Sequence, residues 1–477
     1  MIKVLLPTPD GPHKTRGNFE INSFPPFAFI FISTGTAAAV DFADIQDMTS
    51  NYYSCIERKL VGILEGRQSS FATPTYILDL IPSDTSVSSP LSLTTSPSTP
   101  STSTSLAAVL SSGVVKLFDT HSLKQTYTLN DPSLRGSRCA AWIPRSGAKG
   151  LLIGCGASVE DSDMIIDDSI GSGIKYVTED DIFPSVHFID LRASLVSSKP
   201  LLSSATLLEL SGGKKQLSSI AASENDSHFA VAFGSRVAIF DIRKSLQSSE
   251  IGKCSSLIAS YEESHSETVN QVAFHPFLRG HVMSGGDDGL ICVFDINRIG
   301  EDEALVSVLS VGSSVRRFGL FGEKSAHAFA LTRTEGVSVW NIGSSSRVAD
   351  FSDLRSQLLA KGTQLDYLIE CKELNNETLV SLSGNDDGDL ALIEVSPSGC
   401  VVQKFFERNS KGHSATVRSA AWIPNNDVLF TGGEDGVVCA WRRGTDEIGQ
   451  VEDEMHSSAR NTSVMRREKI EKEKIKR

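Results

Sequence analysis

The chain has 477 residues, enough to bury the core of one large domain or two smaller ones, and its formal net charge of −13 argues against a generic nucleic-acid-binding protein. None of its eight cysteines has CxxC or paired His/Cys spacing, which argues against a zinc site and favours a reducing, intracellular compartment. No apolar run approaches the length of about 18 residues that a membrane-spanning helix needs.

The first part of the chain shares no pattern with the rest. Residues 24–32 (FPPFAFIFI) form an apolar patch that is too short to cross a membrane and has no repeat partner, and Met48 is a natural alternative initiator. We therefore expect residues 1–54 to be a disordered extension outside the repeats, or sequence upstream of the true start, with a targeting or docking segment as the alternative. Residues 55–444 are expected to form the folded domain.

Short apolar runs then begin at residues 59–64 (KLVGIL) and 75–81 (TYILDLI), and both predict β-strands. Residues 83–105 consist almost entirely of Ser, Thr and Pro, which cannot bury enough apolar surface to order themselves, so they are expected to form a solvated loop. Strand patterns resume at residues 106–119. A second insertion, residues 159–183, is strongly acidic and is also expected to be a solvated loop, with binding of a basic partner or a cation as the alternative.

The most informative stretch is residues 412–442 (GHSATVRSAAWIPNNDVLFTGGEDGVVCAWR), where three alternating runs are separated by turn residues. This pattern predicts an antiparallel meander without helix. Residues 137–144 (SRCAAWIP) nearly repeat residues 417–424 (VRSAAWIP), so the unit is an internal repeat. A second clear copy lies at residues 264–298 and contains SHSETVNQVAFHP and SGGDDG.

The spacing of His413, Thr431, Asp435 and Trp441 resembles that of a WD repeat, the unit of β-propellers. The resemblance implies one hydrogen-bonded chain in which His413 lies between the Asp435 carboxylate and the Thr431 hydroxyl, with the Trp441 indole directed at the same hydroxyl. In the second copy His265, Ser284 and Asp288 take the corresponding places. Phe294 stands where the family has tryptophan, so that network is limited to three members.

Residues that resemble the third-strand ends of such repeats recur along the chain. They are Asp119, Asp190, Asp241, Asp295, Asn341, Glu394 and Arg442. Seven units predict an all-β, single seven-bladed propeller. Because no apolar strand follows Arg443, residues 59–64 are expected to complete the last sheet and so remove an exposed edge.

The sequence offers no enzyme signature. It contains no Walker loop, no dinucleotide fingerprint after a strand, no GxSxG and no zinc-ligand spacing, and NDDGD at residues 385–389 lacks the downstream glutamate of a calcium loop. A catalytic use of His413, Thr431 and Asp435 is the alternative to their structural use. We expect no catalytic residue, no metal, no cofactor and no small-molecule substrate.

Beyond the generic repeat, the chain resembles the WD repeat-containing protein 89 family. The resemblance is carried by YEESHSETVNQVAFHP (261–276), GHSATVRSAAW (412–422), TGGEDG (431–436), LDYLI (365–369), TYILDL and the basic tail, and it covers roughly residues 55–477. It implies the propeller fold and supplies little mechanism. The first 50 or so residues and both insertions depart from it.

Two consecutive repeats end in an Asp-x-Arg sequence, Asp190 to Arg192 and Asp241 to Arg243. These sequences look like the boxes found in WD-repeat substrate receptors of cullin-four ubiquitin ligases, although Ile189 and Phe240 replace the usual preceding tryptophan. The resemblance implies that both arginines contact the ligase adaptor. The alternative is that each arginine pairs with a neighbouring acid at the end of its blade.

The predicted function is a non-enzymatic scaffold that binds other proteins. The feature that would distinguish a scaffold is an exposed patch lined by aromatic and Arg residues. The alternatives are the cullin-four receptor and a nuclear assembly factor acting near RNA. The last would need the charged tail, residues 445–477, which ends in RREKIEKEKIKR and predicts a short solvated helix. We expect an intracellular protein of the nucleus or cytoplasm, with no membrane contact and nucleic-acid contact only through this tail.

Overall fold

The computed structural model describes the parts of the chain from which the fold is built. They are residues 53–60, 75–83, 104–134, 136–143, 150–156, 165–166, 176–177, 183–192, 198–213, 216–223, 227–247, 256–360, 366–374, 378–396, 399–405, 412–423 and 428–443. All of them lie in one compact unit, residues 48–477. Residues 1–52 of the predicted extension 1–54, most of the Ser/Thr/Pro segment and the tail 445–477 lie outside the described residues. The last two residues of the predicted extension, Tyr53 and Ser54, belong instead to the first strand of the fold.

β-Strands make up most of the described chain. In chain order they are β1 (Tyr53–Leu60), β2 (Ile77–Pro82), β3 (Ser105–Leu110), β4 (Val115–Asp119), β5 (Lys124–Leu129), β6 (Ser137–Trp142), β7 (Gly150–Cys155), β8 (Ile165–Ile166), β9 (Tyr176–Val177), β10 (Ser185–Asp190), β11 (Ser198–Leu202), β12 (Ser219–Ala222), β13 (His228–Phe233), β14 (Arg236–Asp241), β15 (Leu257–Tyr261), β16 (Val269–Phe274), β17 (His281–Gly286), β18 (Leu290–Asp295), β19 (Leu305–Ser310), β20 (Val315–Phe321), β21 (His327–Thr332), β22 (Val337–Asn341), β23 (Ser346–Phe351), β24 (Tyr367–Leu374), β25 (Thr378–Gly384), β26 (Leu390–Ser396), β27 (Gly399–Phe405), β28 (Val417–Ile423), β29 (Val428–Gly433) and β30 (Val437–Arg443).

The helices of the described residues are short and lie in the connections. They are α1 (Ser204–Leu210), α2 (Ile242–Gln247), α3 (Glu301–Ala304) and α4 (Leu354–Ala360), with 3-10 turns at Pro132–Leu134 and Glu323–Ser325.

The strands form seven four-stranded antiparallel sheets, which we call blades 1 to 7. From the inside outward they are β2-β3-β4-β5, β6-β7-β10-β11, β12-β13-β14-β15, β16-β17-β18-β19, β20-β21-β22-β23, β24-β25-β26-β27 and β28-β29-β30-β1. The first strand of each blade contacts the first strands of its two neighbours, from β2 through β6, β12, β16, β20, β24 and β28 back to β2. The predicted all-β, seven-bladed propeller is therefore confirmed.

An N-terminal strand closes the ring, as predicted, but the predicted bounds of that strand, residues 59–64, are wrong. The strand is β1, which pairs antiparallel with β30 so that Tyr53 lies opposite Arg443 and Leu60 opposite Val437. The apolar run KLVGIL favoured the later position. An outermost strand, however, is held by backbone hydrogen bonds to one neighbouring strand and does not require an apolar sequence. Residues 61–64 lie outside the described part of the chain.

The acidic insertion contains a short hairpin rather than only a loop. β8 and β9 pair antiparallel, with Ile165 opposite Val177 and Ile166 opposite Tyr176. In the sequence, this hairpin is inserted between β7 and β10, the second and third strands of blade 2. It forms a two-stranded sheet of its own, separate from the blade.

The core lies between the blades, because each sheet is buried on both sides. In β13 the large residues Phe229, Val231 and Phe233 pack in the cluster shared with blade 2, while Ala230 and Ala232 pack in the cluster shared with blade 4. Since side chains of a strand alternate between its two faces, this pattern lets one strand fill two interblade cores.

Candidate functional site

The turns of each blade alternate between two sides of the ring, because every blade is an antiparallel meander. One side of the ring, which we call the first face, carries the turns between the second and third strands and the connections from one blade to the next. The second face carries the turns between first and second strands and between third and outermost strands. The His and Asp residues of the predicted networks belong to the first face, and both Asp-x-Arg sequences lie on the second face.

The network of blade 7 brings together its four sequence-predicted residues. His413 Nδ1 lies 3.2 Å from both Asp435 carboxylate oxygens, and His413 Nε2 lies 2.7 Å from Thr431 Oγ1. The indole Nε1 of Trp441 donates to the same hydroxyl oxygen at 2.7 Å. A neutral ring that donates from Nδ1 and accepts the Thr431 hydroxyl proton at Nε2 satisfies every member of this chain.

The backbone around this network is adapted to it. A Cβ atom at Gly433 would lie 2.7 Å from Asp435 Oδ1 and 2.8 Å from His413 Nδ1, so only glycine fits. Burial works to raise the pKa of Asp435, but hydrogen bonds from His413 and from the N–H groups of Ser414 and Val437 outweigh it and lower the pKa. The carboxylate thus stays charged inside a nearly closed site.

Blade 4 contains the three-membered version of the same network. His265 Nδ1 lies 2.9 Å from Asp288 Oδ2, and Nε2 lies 2.8 Å from Ser284 Oγ. Phe294 occupies the tryptophan position, and its ring stacks on Tyr261 with centroids 4.1 Å apart. In blade 4, the stacking of Phe294 on Tyr261 of the preceding blade therefore replaces the hydrogen bond that the Trp441 indole makes in blade 7.

Both networks are closed to solutes. The side chains of His413 and Asp435 are 0% and 7% exposed, and those of His265 and Asp288 are 1% and 5% exposed. A buried, fully paired polar network fixes one geometry of the blade, and a substrate cannot reach it. This arrangement stabilises the blade and leaves no path for catalysis at these residues.

The aspartates of the Asp-x-Arg sequences belong to a turn that recurs in five successive blades. In each, a side-chain oxygen at the end of the third strand accepts a backbone N–H two or three residues later: His121 to Asp119 (3.1 Å), Arg192 to Asp190 (2.9 Å), Arg243 to Asp241 (2.8 Å), Asn297 to Asp295 (3.1 Å) and Ser344 to Asn341 (2.9 Å). This contact starts the turn to the outermost strand, so Asp190 and Asp241 are part of the blade architecture.

The two arginines differ in their surroundings. Arg192 Nε and Nη2 lie 2.9 and 2.8 Å from the two oxygens of Asp190, while the Arg192 side chain remains 63% exposed. The hydrogen bonds that the Arg192 side chain and the Arg192 backbone N–H donate to Asp190 lower the pKa of Asp190 to about 2. Arg243 lies in the first turn of α2 and is exposed. Both residues therefore stand on the second face of adjacent blades.

Sequence reasoning missed an ionic bridge inside the ring. Arg317, on the innermost strand of blade 5, donates to Glu370 Oε2 on blade 6 at 2.7 Å and to Asp79 Oδ1 on blade 1 at 3.0 Å. The Asp79 carboxylate raises the pKa of Arg317, against the effect of burial. One guanidinium thus links three blades across the centre of the ring.

A second contact that the sequence did not reveal joins blades 3 and 4. Glu301, at the start of α3, accepts the backbone N–H groups of Glu262, Glu263 and Ser264 at 2.6, 3.0 and 2.7 Å. The Ser264 hydroxyl donates to the same carboxylate. Since His265 follows directly, Glu301 fixes the segment that carries the blade 4 histidine.

The second face of blade 4 exposes apolar side chains in two neighbouring loops. Phe277 and Leu278, between β16 and β17, are 41% and 47% exposed, and Ile299, between β18 and α3, is 93% exposed. Arg279 and Arg298 in the same loops are also exposed. We call these five residues the blade 4 patch.

The loops of the blade 4 patch are held in place. His275, itself buried, accepts the N–H groups of Phe277 and Leu278 at Nδ1 (3.2 and 2.9 Å), and its Nε2 lies 3.1 Å from the carbonyl oxygen of Ser325 on blade 5. The Ile296 N–H donates to the Gly280 carbonyl at 2.8 Å and so joins the two loops. The patch is therefore presented by a preformed backbone.

Within the described ranges there is no group of three or more His, Cys, Asp or Glu side chains arranged to hold a metal ion. The helices of these ranges also include none that is long and apolar enough to cross a membrane. Five cysteines whose side chains are described are buried and free: Cys139, Cys155, Cys292, Cys371 and Cys439.

The fold and the two histidine networks define a WD-repeat β-propeller. The model of the WD domain, G-beta repeat, family (WD40) matches residues 255–295 and 404–442, the segments that contain His265 and His413. These two segments of the chain are therefore WD repeats.

Similar proteins carry the same repeat. The chain is 26% identical over 220 residues to the WD repeat-containing protein 89 homolog of Dictyostelium discoideum, covering 46% of this chain and 58% of that protein. It is 31% identical over 201 residues to the WD repeat-containing protein GTS1 of Arabidopsis thaliana, covering 40% of this chain and 51% of that protein. The chain thus spans little more than half the length of these two relatives.

A more distant similarity extends to a transport protein. The protein transport protein SEC31 of Candida glabrata is 25% identical over 190 residues, which cover 38% of this chain and 15% of that protein.

Proposed function

We propose that this propeller is a non-enzymatic scaffold that binds another protein through the blade 4 patch. WD-repeat propellers generally bind proteins. The patch has the composition expected of a binding surface, because the exposed apolar side chains of Phe277, Leu278 and Ile299 lie beside Arg279 and Arg298. The proposal rests above all on the exposure of Ile299, which is 93% exposed although the backbone of its loop is fixed by hydrogen bonds.

Affinity purification of the full chain followed by quantitative mass spectrometry tests this proposal. The test variant is Leu278→Asp, Ile299→Asp, and the control is Leu359→Asp, because Leu359 is also apolar and 63% exposed but lies in α4 on the first face. We expect partners that the control retains to be lost from the test variant. Retention of the same partners by both variants would contradict the proposed surface.

A second candidate function is the substrate receptor of a cullin-four ubiquitin ligase. The observation that favours it is the exposure of Arg192 and Arg243 on the second face of adjacent blades. Against it stands the recurrence of the Asp turn in five blades, which accounts for Asp190 and Asp241 without a partner.

The same purification separates this candidate from the first. If the cullin-four adaptor co-purifies with the full chain and is lost from Arg192→Ala, Arg243→Ala, the receptor function holds. If the adaptor is absent from both samples, the two arginines are blade architecture. The nuclear assembly alternative depends on the tail, residues 445–477, which lies outside the described residues.

A further inference from the structure

We propose that the protein bound by the blade 4 patch is a second copy of this chain, related to the first copy by a two-fold axis. This inference rests on the proposed scaffold function and adds the identity of the partner.

The first observation is the concentration of exposed apolar side chains on blade 4. Of the ten large apolar residues that are exposed in the described part of the chain, five belong to this blade. They are Phe277, Leu278 and Ile299 of the blade 4 patch and Val306 and Val308 of β19, the outermost strand. Single apolar residues are normal on a protein surface, whereas a group on one blade indicates a surface that another protein molecule covers.

The second observation is that the backbone of the patch is fixed before binding. The Ile296 N–H donates to the Gly280 carbonyl and joins the two loops, and His275 holds the first loop from inside. Gly280 has a φ of +76°, and a Cβ atom there would lie 2.4 Å from Asn297 Nδ2, so the approach of the loops requires this glycine. Two copies can therefore meet with little additional ordering of either backbone.

The third observation is that the charges around the patch have both signs. The cations are Arg243, Lys244, Arg279 and Arg298, and the carboxylates are Asp241, Asp295, Glu301, Asp302 and Glu303, with Glu262 and Glu263 in the connection from blade 3. A ligand of one charge sign would be attracted by part of these side chains and repelled by the rest. A partner surface with both signs avoids this repulsion, and a second copy of this surface carries both.

Part of this charge is compensated within one copy. Arg298 Nε, for example, lies 3.3 Å from Asp295 Oδ2. Arg279 in the first loop and Asp302 and Glu303 in α3 are exposed and make no ion pair with a described residue. One cation and two carboxylates on different loops are therefore available for a partner.

A two-fold axis between the two loops brings these charges together. Arg279 lies in the loop before β17, and the two acids of α3 follow the loop after β18. In a two-fold contact Arg279 of one copy faces α3 of the other copy, and the reciprocal contact forms at the same time. The apolar side chains of both patches then meet at the axis and exclude water.

Sedimentation velocity of the purified full chain across about 1–100 μM, a range in which interfaces of modest size dissociate, tests the inference. The variants are Ile299→Ser, Arg279→Glu and the double variant Asp302→Lys, Glu303→Lys. The matched control is Leu359→Ser, which changes an exposed apolar residue on the first face.

We expect the natural chain to dimerise and Ile299→Ser to raise the dimer Kd at least about tenfold, because the symmetric contact loses this anchor twice. Arg279→Glu and Asp302→Lys, Glu303→Lys should each raise the Kd as well, because like charges then face each other in both contacts. An equimolar mixture of these two variants should dimerise like the natural chain, since both contacts then join opposite charges. Leu359→Ser should leave the Kd unchanged.

A natural chain that stays monomeric over this range, an unchanged Kd with Ile299→Ser, or a mixture that dimerises no better than its components would overturn the inference. These outcomes are separable from failure of the scaffold proposal. If cellular partners are lost from Leu278→Asp, Ile299→Asp while the natural chain is monomeric, the scaffold proposal stands and the second copy is wrong.

Discussion

Arg317 and Asp79 are 238 positions apart in the sequence, yet their side chains meet at 3.0 Å in the centre of the propeller. Their innermost strands belong to blades 5 and 1, which are separated by two blades along the shorter way round the ring. With the 2.7 Å contact to Glu370, this pair holds the ring together from the inside, while the pairing of β1 with β30 closes it at the outside.

Arg317→Met is expected to lower the free energy of unfolding by about 2 kcal/mol, because two half-buried carboxylates lose their counterion; the partial exposure of the three side chains keeps the loss below that of a fully buried pair. The control is Arg347→Met, which removes the exposed ion pair with Asp350 and should cost less than about 1 kcal/mol. Denaturant unfolding measures both. Equal costs would show that the central bridge contributes no more than a surface pair.

Thr431→Val is expected to cost about 2–4 kcal/mol of unfolding free energy, because it leaves both His413 Nε2 and the Trp441 indole N–H buried without their shared partner. The control is Thr431→Ser, which keeps the hydroxyl and should cost less. Thermal unfolding followed by calorimetry compares the two. An equal loss in both variants would contradict this role of the hydroxyl, because the hydroxyl that Val lacks would then contribute no more than the packing of the methyl group that Ser lacks.

Glu301→Gln tests the contact between blades 3 and 4 through its pH dependence. Burial acts to raise the pKa of Glu301, but the Ser264 hydroxyl and three backbone N–H groups lower it below the ordinary value. A folded-state pKa below the unfolded one adds stability above the unfolded value of about 4.3, and this stability is lost as pH falls through the folded pKa.

We therefore expect Glu301→Gln to be less stable than the natural chain at pH 7 by about 1–2 kcal/mol, with the difference shrinking below about pH 4. Unfolding curves recorded across this range measure it, with Glu303→Gln on the exposed side of α3 as the control. A difference that stays constant down to low pH would show that the charge of Glu301 has no part in the contact.

His275→Ala should speed amide hydrogen exchange at Phe277 and Leu278 by about tenfold or more at pH 7, since both N–H groups lose their acceptor. Burial lowers the pKa of His275, against the hydrogen bond to the Ser325 carbonyl, and the nearby His281 lowers it further. The neutral ring that accepts these N–H groups is thus favoured at pH 7.

Acid should act on this loop in the same direction as the substitution. Because the folded pKa lies below the ordinary value, the stability from neutral His275 is present above about pH 6.5 and is lost as pH falls through the folded pKa. After correction for intrinsic exchange, protection at Phe277 and Leu278 should then fall more than protection at Ile296, whose N–H bonds to the Gly280 carbonyl. Equal changes at all three amides would contradict this role of His275.

The sequence predicted the features of this molecule that repeat along the chain. Alternating runs, turn residues and recurring third-strand ends were enough for seven blades, because each blade is formed by residues close in sequence. The His413 network was expected from the resemblance of its residue spacing to that of a WD repeat. The bounds of β1 were not, because that strand pairs with β30 across the whole chain and its sequence, YSCIERKL, carries little apolar signal.

Contacts between distant blades left no trace in the local pattern. Arg317 resembles any polar residue of a strand until the ring brings Asp79 and Glu370 to it. The apolar residues Phe277, Leu278 and Ile299 equally resemble core residues in the sequence, and only their exposure in the folded loops distinguishes them.

The most direct test of the scaffold account is photo-cross-linking of the full chain in cells, with benzoylphenylalanine in place of Phe277 or, as the control, in place of Leu359. Position 277 lies in the blade 4 patch, and position 359 lies on the first face. If the blade 4 patch binds partners, discrete cross-linked proteins are expected from position 277 that are absent at position 359 and disappear in Ile299→Ser. No cross-linked protein at position 277, or the same products at both positions, would contradict it.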